Sequence, residues 1–224
     1  MVRNVNSKSV SEEPERVDRR RIGPATKAKL ERVAAQQFDS LGFRNTTMKS
    51  IAEECGLTPS AFYNHYPSKH DMLFSIISSA YDRLSVSVAE ALASGSDPIE
   101  RLRGAIRAMS KWLLNNPCEG RVSRGELHEL DDDSRARLTA RWRKFRRTLE
   151  SVILDGIASG QIKTPGKRTA EMPKVFATAI VSMVEALTQA YPDAGLEGPE
   201  QKDEKATELL MGLTDRLLGV EPKG

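Results

Sequence analysis

The segment 46–69, TTMKSIAEECGLTPSAFYNHYPSK, predicts two short helices joined by a tight turn. Four residues of its first half recur at helical spacing and form one apolar stripe: Met48, Ile51, Ala52 and Cys55. Gly56 follows the last of them and can adopt the left-handed conformation that ends a helix. Thr58 and Pro59 then suit the N-cap and the first position of a second helix. The spacing therefore predicts a helical hairpin.

The second helix of this hairpin has two different faces. At about 100° per residue, Phe62 and Tyr66 fall on the inner side, whereas Ser60, Ala61 and Asn64 point outward together. Small and amide side chains can enter a major groove, where Asn pairs with adenine, Ser with either base and Ala with a thymine methyl. The outward face therefore favours DNA reading.

Donor side chains surround this outward face. Hydroxyl, imidazole and ammonium groups suit phosphate oxygens, which fix the register of a protein on DNA but carry no sequence information. The predicted DNA-binding set is completed by Thr46, Thr47, Lys49, Thr58, Tyr63, His65 and Lys69. Spacing alone leaves a second interpretation open, in which the hairpin belongs to an ordinary helical domain and Tyr63 and His65 are merely solvated.

The sequence of this segment resembles that of the tetracycline-repressor (TetR) family of bacterial transcription regulators. The resemblance begins at Gly42-Phe43, continues through Thr46-Thr47 and Ile51-Ala52, and is most specific at residues 61–66 and at Ser68-Lys69. It implies that the second helix is the recognition helix, with backbone contacts from Tyr63, His65 and Lys69. The family often has Gly where Ser60 stands and Phe where Tyr66 stands, so Ser60 is expected to alter the operator that is read.

Charge and composition agree with a DNA-binding head on a larger body. The chain has 224 residues and a net charge of +3, and residues 1–70 hold 12 Lys and Arg against 8 Asp and Glu. That bias suits phosphate contact. No apolar run approaches the roughly 20 residues that a membrane span needs, and no secretory signal is visible, so we expect a cytoplasmic chain. Cys55 and Cys118 lack metal-ligand spacing and are expected to be small buried residues.

The chain divides into three predicted parts. Residues 1–21 are polar and aperiodic and predict a flexible basic arm, either solvated or tracking phosphates and an adjacent minor groove through Arg19-Arg20-Arg21. Residues 22–67 predict a three-helix helix-turn-helix head, whose first helix spans about 24–41. Residues 68–219 predict a helical effector-binding and dimerisation body. Because no strand pattern competes, the expected fold class is all-α.

The body is predicted to contain five helices with one less regular stretch. Ser68 and Asp71 predict the cap of a long helix over 68–93 that connects head and body, and Asp97-Pro98 predicts the start of the next, which ends near 115. Residues 118–133 predict irregular structure. Further helices are expected over about 134–159, over 169–191 and after 199.

Dimerisation is expected because a small head reads only a few base pairs. The last two helices are apolar over a wider arc than one subunit needs, and two such pairs make a four-helix contact. The predicted interface residues are Ile180, Val184, Leu187, Leu209, Leu213 and Leu217. The alternative is that both stripes are buried within one subunit.

An effector site is expected between the remaining body helices, since ligand sites of helical bodies are lined mainly by apolar groups. The candidates, each of which can also be plain core, are Met109, Trp112, Trp142, Phe145, Phe176 and Met183. Seven basic residues between Arg135 and Arg147 predict a solvated face or, alternatively, an anion site for an acyl-CoA thioester. His128 lies among carboxylates without paired ligand spacing, so we expect no metal or cofactor.

These features predict a one-component transcription regulator that acts as a repressor, binds a palindromic operator as a homodimer and is released by a small-molecule effector. One alternative is a DNA-binding dimer without an effector. Another is a helical ligand-binding or catalytic domain with an incidental hairpin. The sequence contains no glycine-rich phosphate loop and no nucleophile motif, so it favours no enzyme.

Overall fold

The computed structural model describes residues 23–58, 62–63, 65–164, 169–190 and 199–220, and helices account for most of them. The predicted arm, residues 1–21, lies outside these ranges. The α-helices are α1 (Pro24–Leu41), α2 (Met48–Cys55), α3 (Lys69–Ser94), α4 (Pro98–Asn115), α5 (Pro117–Gly125), α6 (Asp132–Ala158), α7 (Met172–Ala190) and α8 (Pro199–Leu217). No strand occurs in the described ranges, which confirms the all-α class. Within them, no helix is both long and apolar enough to cross a bilayer.

The helix ends follow the local signals of the sequence. Thr47 caps α2, because its side chain accepts from the Ser50 amide and the Ser50 hydroxyl accepts in return from the Thr47 amide. Gly56 ends α2 in the left-handed conformation, with φ of 71°. Ser68 caps α3 by accepting from the Asp71 amide at 3.1 Å. These caps fix where the hairpin begins and where the long helix leaves it.

The stretch predicted to be irregular contains a helix instead. α5 spans Pro117–Gly125 and is followed by a short 3-10 turn, Leu127–Glu129. Pro117 at its first position, Glu119 in its first turn and Arg124 in its last turn are ordinary helix signals. The prediction was wrong because the buried face of α5 consists of Glu119, Gly120, Val122 and Ser123, which form no apolar stripe.

Helix α3 connects two hydrophobic cores. Its first half packs into the head core through Met72, Leu73, Ile76 and Ile77. Its second half packs into the body core through Leu84, Val88 and Leu92. The head core also takes in body residues, namely Val122, Leu130 and Leu138. The head is therefore packed continuously onto the body, and α3 is the predicted long helix that connects them.

Polar contacts reinforce this junction of head and body. The guanidinium of Arg121 on α5 donates to both carboxylate oxygens of Asp39 on α1, at 2.7 and 2.5 Å. Arg44 donates to Glu129 at 2.7 Å. The paired Arg121 holds the pKa of Asp39 below its usual range. α5 and the turn after it thus bind the head through ion pairs near the end of α1.

Lys69, the first residue of α3, closes the loop between α1 and α2. Its ammonium donates to the carbonyls of Phe43, Arg44 and Thr46 at 2.6, 3.2 and 2.8 Å. The same ammonium lies 4.4 Å from the centre of the Phe43 ring, a cation–π contact. These contacts engage all three donors of the ammonium and give Lys69 a structural role, whereas its expected contact to phosphate stays a prediction.

We predict that Lys69→Met destabilises the head. The substitution keeps an apolar stem but leaves three carbonyls without their charged donor, which should lower the free energy of unfolding by about 1–3 kcal/mol. Urea denaturation followed by circular dichroism measures this difference.

Lys49→Met is the matched control. Lys49 is exposed and pairs only with Glu53, at 3.7 Å one turn along α2. An exposed pair of this kind contributes less than about 0.5 kcal/mol. Equal losses in the two variants would contradict the role given to Lys69.

Candidate DNA-binding surface and ligand cavity

The hairpin presents its aromatic residues as the helical spacing predicts. Phe62 is fully buried and Tyr66 is 5% exposed, while Tyr63 is 51% exposed. Phe62 and Tyr66 belong to the head core. The predicted base-reading residues, Ser60, Ala61 and Asn64, lie outside the described residues, so their orientation stays a prediction. The burial of Phe62 and Tyr66 and the exposure of Tyr63 agree with the predicted inner and outer sides of this helix.

Tyr66 has a specific polar partner inside the head. Its hydroxyl donates to Oε1 of Glu31 at 3.2 Å, and this oxygen also accepts from Ser75 at 2.6 Å and Ser79 at 3.3 Å. Burial, together with the charge of Glu31, raises the pKa of Tyr66, which therefore remains a donor. A phenylalanine could not satisfy the buried Glu31 carboxylate in this way. The tyrosine at this position is thus explained by its partner.

The remaining predicted DNA residues divide by exposure. Thr47, Lys49, Thr58 and Tyr63 are exposed, and His65 is half-buried. Thr46 is only 1% exposed, and its hydroxyl donates to the carbonyls of Gln37 and Gly42 at 3.1 and 3.0 Å. The structure therefore contradicts a DNA contact by the Thr46 side chain, which instead holds the loop between α1 and α2.

A cavity of about 290 Å³ opens between α3, α4, α5, α6 and α7. Its apolar wall is formed by Ala80, Tyr81, Leu84, Trp112, Leu113, Leu127, Trp142 and Val181. The Trp142 ring stacks between Tyr81 and Phe145, with centroids 5.5 and 5.0 Å away. The volume is near the lower end of the range for small-molecule sites, about 300–1,000 Å³. This is the expected kind of place for an effector.

Two of the six predicted pocket residues line this cavity, Trp112 and Trp142. Met109 and Phe176 are instead buried in the body core and do not line the cavity, so their contact with an effector stays a prediction. Phe145 is also core; it lines a neighbouring groove rather than the cavity. Met183 packs against the core without lining the cavity. Helical spacing identified apolar residues that face inward, but it did not indicate which of them line the cavity.

The polar wall of the cavity was missed by the sequence analysis. It contains Ser123 and Arg124 of α5, Arg146 of α6 and Glu185 of α7. The Arg124 guanidinium lies 3.6 Å from the Glu185 carboxylate. Burial raises the pKa of Glu185, and Arg124 partly opposes that rise. Burial and the nearby Glu185 also raise the pKa of Tyr81, to about 12.

The basic residues of α6 are largely paired with acids. Arg135 contacts Asp132, and Arg141 contacts Asp82 on α3. Arg137 lies 3.9 Å from Asp133, over the ring of Phe74, and Arg146 donates to Glu150 at 3.1 Å. A salt-bridged face explains this cluster better than a dedicated anion site.

His128 lies with two carboxylates, Glu126 and Glu129, within 4.8 Å of one another. Each of the three has another contact. Glu126 accepts from the Phe43 amide at 3.4 Å, Glu129 accepts from Arg44, and His128 approaches the Gly125 carbonyl at 2.7 Å. The cluster therefore serves the junction between head and body.

The outer face of α7 and α8 exposes large apolar side chains. Val175, Leu209 and Leu213 are 55, 47 and 41% exposed. In contrast, Ile180 and Val184 are buried within this chain, so the prediction that they face a partner was wrong. Leu187 and Leu217 are partly buried against the same core. Of the predicted interface, Leu209 and Leu213 remain available to a second subunit.

Comparison with known proteins adds independent information. A family model described as "Tetracyclin repressor-like, C-terminal domain" matches residues 95–214, and one described as "Bacterial regulatory proteins, tetR family" matches residues 32–76. The transcriptional regulator TcmR of Streptomyces glaucescens is 32% identical over 106 residues, which are 47% of this chain and 42% of TcmR. The chain thus matches less than half the length of that relative.

Two further comparisons cover more of the chain. The transcriptional repressor KstR2 of Mycobacterium tuberculosis (strain ATCC 25618 / H37Rv) is 25% identical over 138 residues, 61% of this chain and 69% of KstR2. The crystal structure of AibR in complex with isovaleryl coenzyme A and operator DNA superposes with a TM-score of 0.71 at 23% identity, covering 88% of this chain and 100% of AibR. Together with the two matching family models, the helix-turn-helix head on a helical body shows that this chain belongs to the TetR family of bacterial transcription regulators.

Proposed function

We propose that the chain is a ligand-responsive repressor that binds a palindromic operator as a homodimer and leaves it when a small molecule occupies the cavity. KstR2 is a transcriptional repressor, and AibR has been crystallised with both isovaleryl coenzyme A and operator DNA. The effector we favour has an apolar body, because most of the cavity wall is aromatic or aliphatic. An acyl-CoA thioester would have to leave its nucleotide outside so small a cavity.

The observation that carries this proposal is the position of α5 between the cavity and the head. One face of α5 lines the cavity through Gly120, Ser123 and Arg124. Arg121, on another face, is bonded to Asp39 of α1. A displacement of α5 by a ligand therefore reaches the head through one short, rigid element.

The mechanism that follows is a population shift. Without ligand, two heads are held at the separation of successive major grooves, about 34–36 Å. A ligand that fits the cavity better when α5 and the long helix α3 have moved stabilises a form whose heads no longer match the operator. The ligand must discriminate between the two forms, and DNA must weaken ligand binding by the same factor.

The direct test is operator selection. Purified protein should retain specific fragments from a promoter library at physiological salt, and footprinting should protect two half-sites about one helical turn apart. Binding that is weak and indifferent to sequence would exclude the proposal. Operator binding that no ligand alters would leave an effector-independent DNA-binding protein.

Asn64→Ala is predicted to change which sequence is bound. Loss of a bidentate contact to adenine should reduce discrimination at one base pair by about 1–3 kcal/mol. Competition gel shifts with single-base operator variants measure this loss.

Lys49→Ala is the comparison for that variant. We assign its exposed ammonium to phosphate, so its removal should weaken all DNA about equally and lower the salt slope by about one. If the Asn64 variant behaved in the same uniform way, the assignment of base-reading and phosphate-contacting residues would be wrong.

We predict that the exposed face of α7 and α8 forms the dimer. Replacing Leu209 and Leu213 together by Glu would place like charges against each other in an isologous contact, where each residue meets the same surface of its partner. Sedimentation at micromolar concentration should show monomers, with loss of operator binding.

Val86→Glu is the control, since Val86 is also strongly exposed but lies on α3. This variant should stay dimeric. A dimer that survives the double substitution on α8 would place the interface elsewhere.

Arg121→Ala is predicted to weaken operator binding about fivefold, corresponding to the roughly 1 kcal/mol expected of a good bidentate pair. Because the pKa of Asp39 is lowered, the pair is intact above the ordinary Asp pKa of about 3.9 and is lost only as the pH falls through the lowered value. The difference from the parent protein should therefore be equal at pH 6 and pH 8. A difference confined to one of these pH values would contradict the role of this pair.

A further inference from the structure

The polar end of the cavity contains a buried group without a partner. Ser123 is 7% exposed, and its hydroxyl makes no hydrogen bond to any described residue. The residue lies in the cavity wall, on α5 beside Arg124. A buried hydroxyl of this kind is destabilising unless something in the cavity bonds to it. Its position therefore indicates where a polar atom of a ligand belongs.

The charges in the wall indicate the sign of that ligand. Arg124 and Arg146 line the cavity and face a single acid, Glu185. Glu150, which accepts from Nε of Arg146, does not belong to the wall. Arg124 is 3.6 Å from Glu185, an ion pair beyond hydrogen-bond distance, and the amide oxygen of Gln189 is its other acceptor. Arg146 is therefore neutralised from outside the wall, which leaves Arg124, with its acid at 3.6 Å, as the guanidinium that an anionic ligand can approach.

The opposite wall indicates the shape of the ligand. Tyr81, Trp112 and Trp142 supply aromatic surface, and the planes of Tyr81 and Trp142 are inclined by only 30°. Flat rings stack well against such a surface. The volume of about 290 Å³ accommodates a bicyclic molecule with one substituent.

We propose that the cavity binds a small aromatic carboxylate. Its rings pack against Trp112 and the edge of Trp142, whose faces stack on Tyr81 and Phe145. Its carboxylate accepts from the guanidinium of Arg124 and from the Ser123 hydroxyl, whose oxygen is buried in this structure and must turn toward the cavity. A guanidinium and a carboxylate form strong, charge-assisted hydrogen bonds in a partly dry site. A cationic ligand would lie beside the guanidinium of Arg124, and Glu185, the acid of the described wall, is already paired with that arginine. This ligand is the effector of the repressor only if the proposed repressor function holds. Its binding to the cavity does not depend on that function.

The test uses three ligands of one shape and different charge. Calorimetry on the full chain, without DNA and at pH 7.5, compares 2-naphthoate, 2-naphthylmethanol and 2-naphthylmethylammonium. The carboxylate should bind at least about tenfold more tightly than the alcohol, as expected for a charge-assisted bond. The ammonium compound should bind most weakly.

Variants of the polar wall separate this proposal from a purely structural role. Arg124→Met should remove the preference for naphthoate while leaving the affinity for the alcohol within about threefold. Glu185→Gln should strengthen naphthoate binding, because it removes a repulsive charge and releases Arg124. Ser123→Ala should weaken naphthoate severalfold. Arg147→Met, on the exposed face of α6, is the matched control and should change nothing.

Equal or tighter binding of the alcohol or the ammonium compound would overturn the proposal. So would undetectable naphthoate binding at millimolar concentration, or a Glu185→Gln variant that binds naphthoate less well. Operator binding is measured on the same preparations. If specific DNA binding persists while naphthoate fails, only the ligand class is wrong. If naphthoate binds as expected and specific DNA binding is absent, the regulatory function is wrong and the binding site stands.

Discussion

The ammonium of Lys69 holds the geometry of the head in place. Carbonyls in a loop that follows a helix have few partners of their own, and three of them converge on this one charge. Lys69 is also the first residue of α3, so the same contact fixes where the long helix starts. The hairpin is thereby fixed at both ends, by the Thr47 cap at the start of α2 and by Lys69 at the start of the long helix.

The junction of head and body is organised around α5. This short helix has a charged contact with α1, a cavity-facing side and one residue, Val122, inside the head core. Because Leu138 of α6 also enters that core, head and body share packing as well as ion pairs. A domain boundary at residue 67 or 68 therefore describes the chain order but not the packing, which continues across it.

Local signals predicted the helix ends well. The caps in which Ser68 accepts from the Asp71 amide and Asp97 accepts from the Ile99 and Glu100 amides act within a few residues, so the sequence contains the whole interaction. The inward position of Phe62 and Tyr66 followed from helical spacing for the same reason. The loop contacts of Lys69 were missed because its partners lie some 25 residues away in the chain, at a place that periodicity does not indicate.

In the outer helices and the cavity, too, contacts between distant parts of the chain could not be predicted from periodicity. The apolar stripe on α7 is wide. Its pattern alone did not indicate that Ile180 and Val184 face the body while Val175 faces outward. In the cavity, Trp112 and Trp142 were predicted, but the polar wall depends on three helices meeting. Arg124 and Glu185 are ordinary surface types in sequence, and only the fold brings them to 3.6 Å.

The chain has two tryptophans, and both line the cavity. Its ultraviolet emission excited at 295 nm therefore originates entirely from the walls of that one site. Any molecule that enters, or any movement of α4 against α6, changes the surroundings of every emitting indole. The protein thus contains its own optical sensor for cavity occupancy, without a label and without interference from the DNA-binding head.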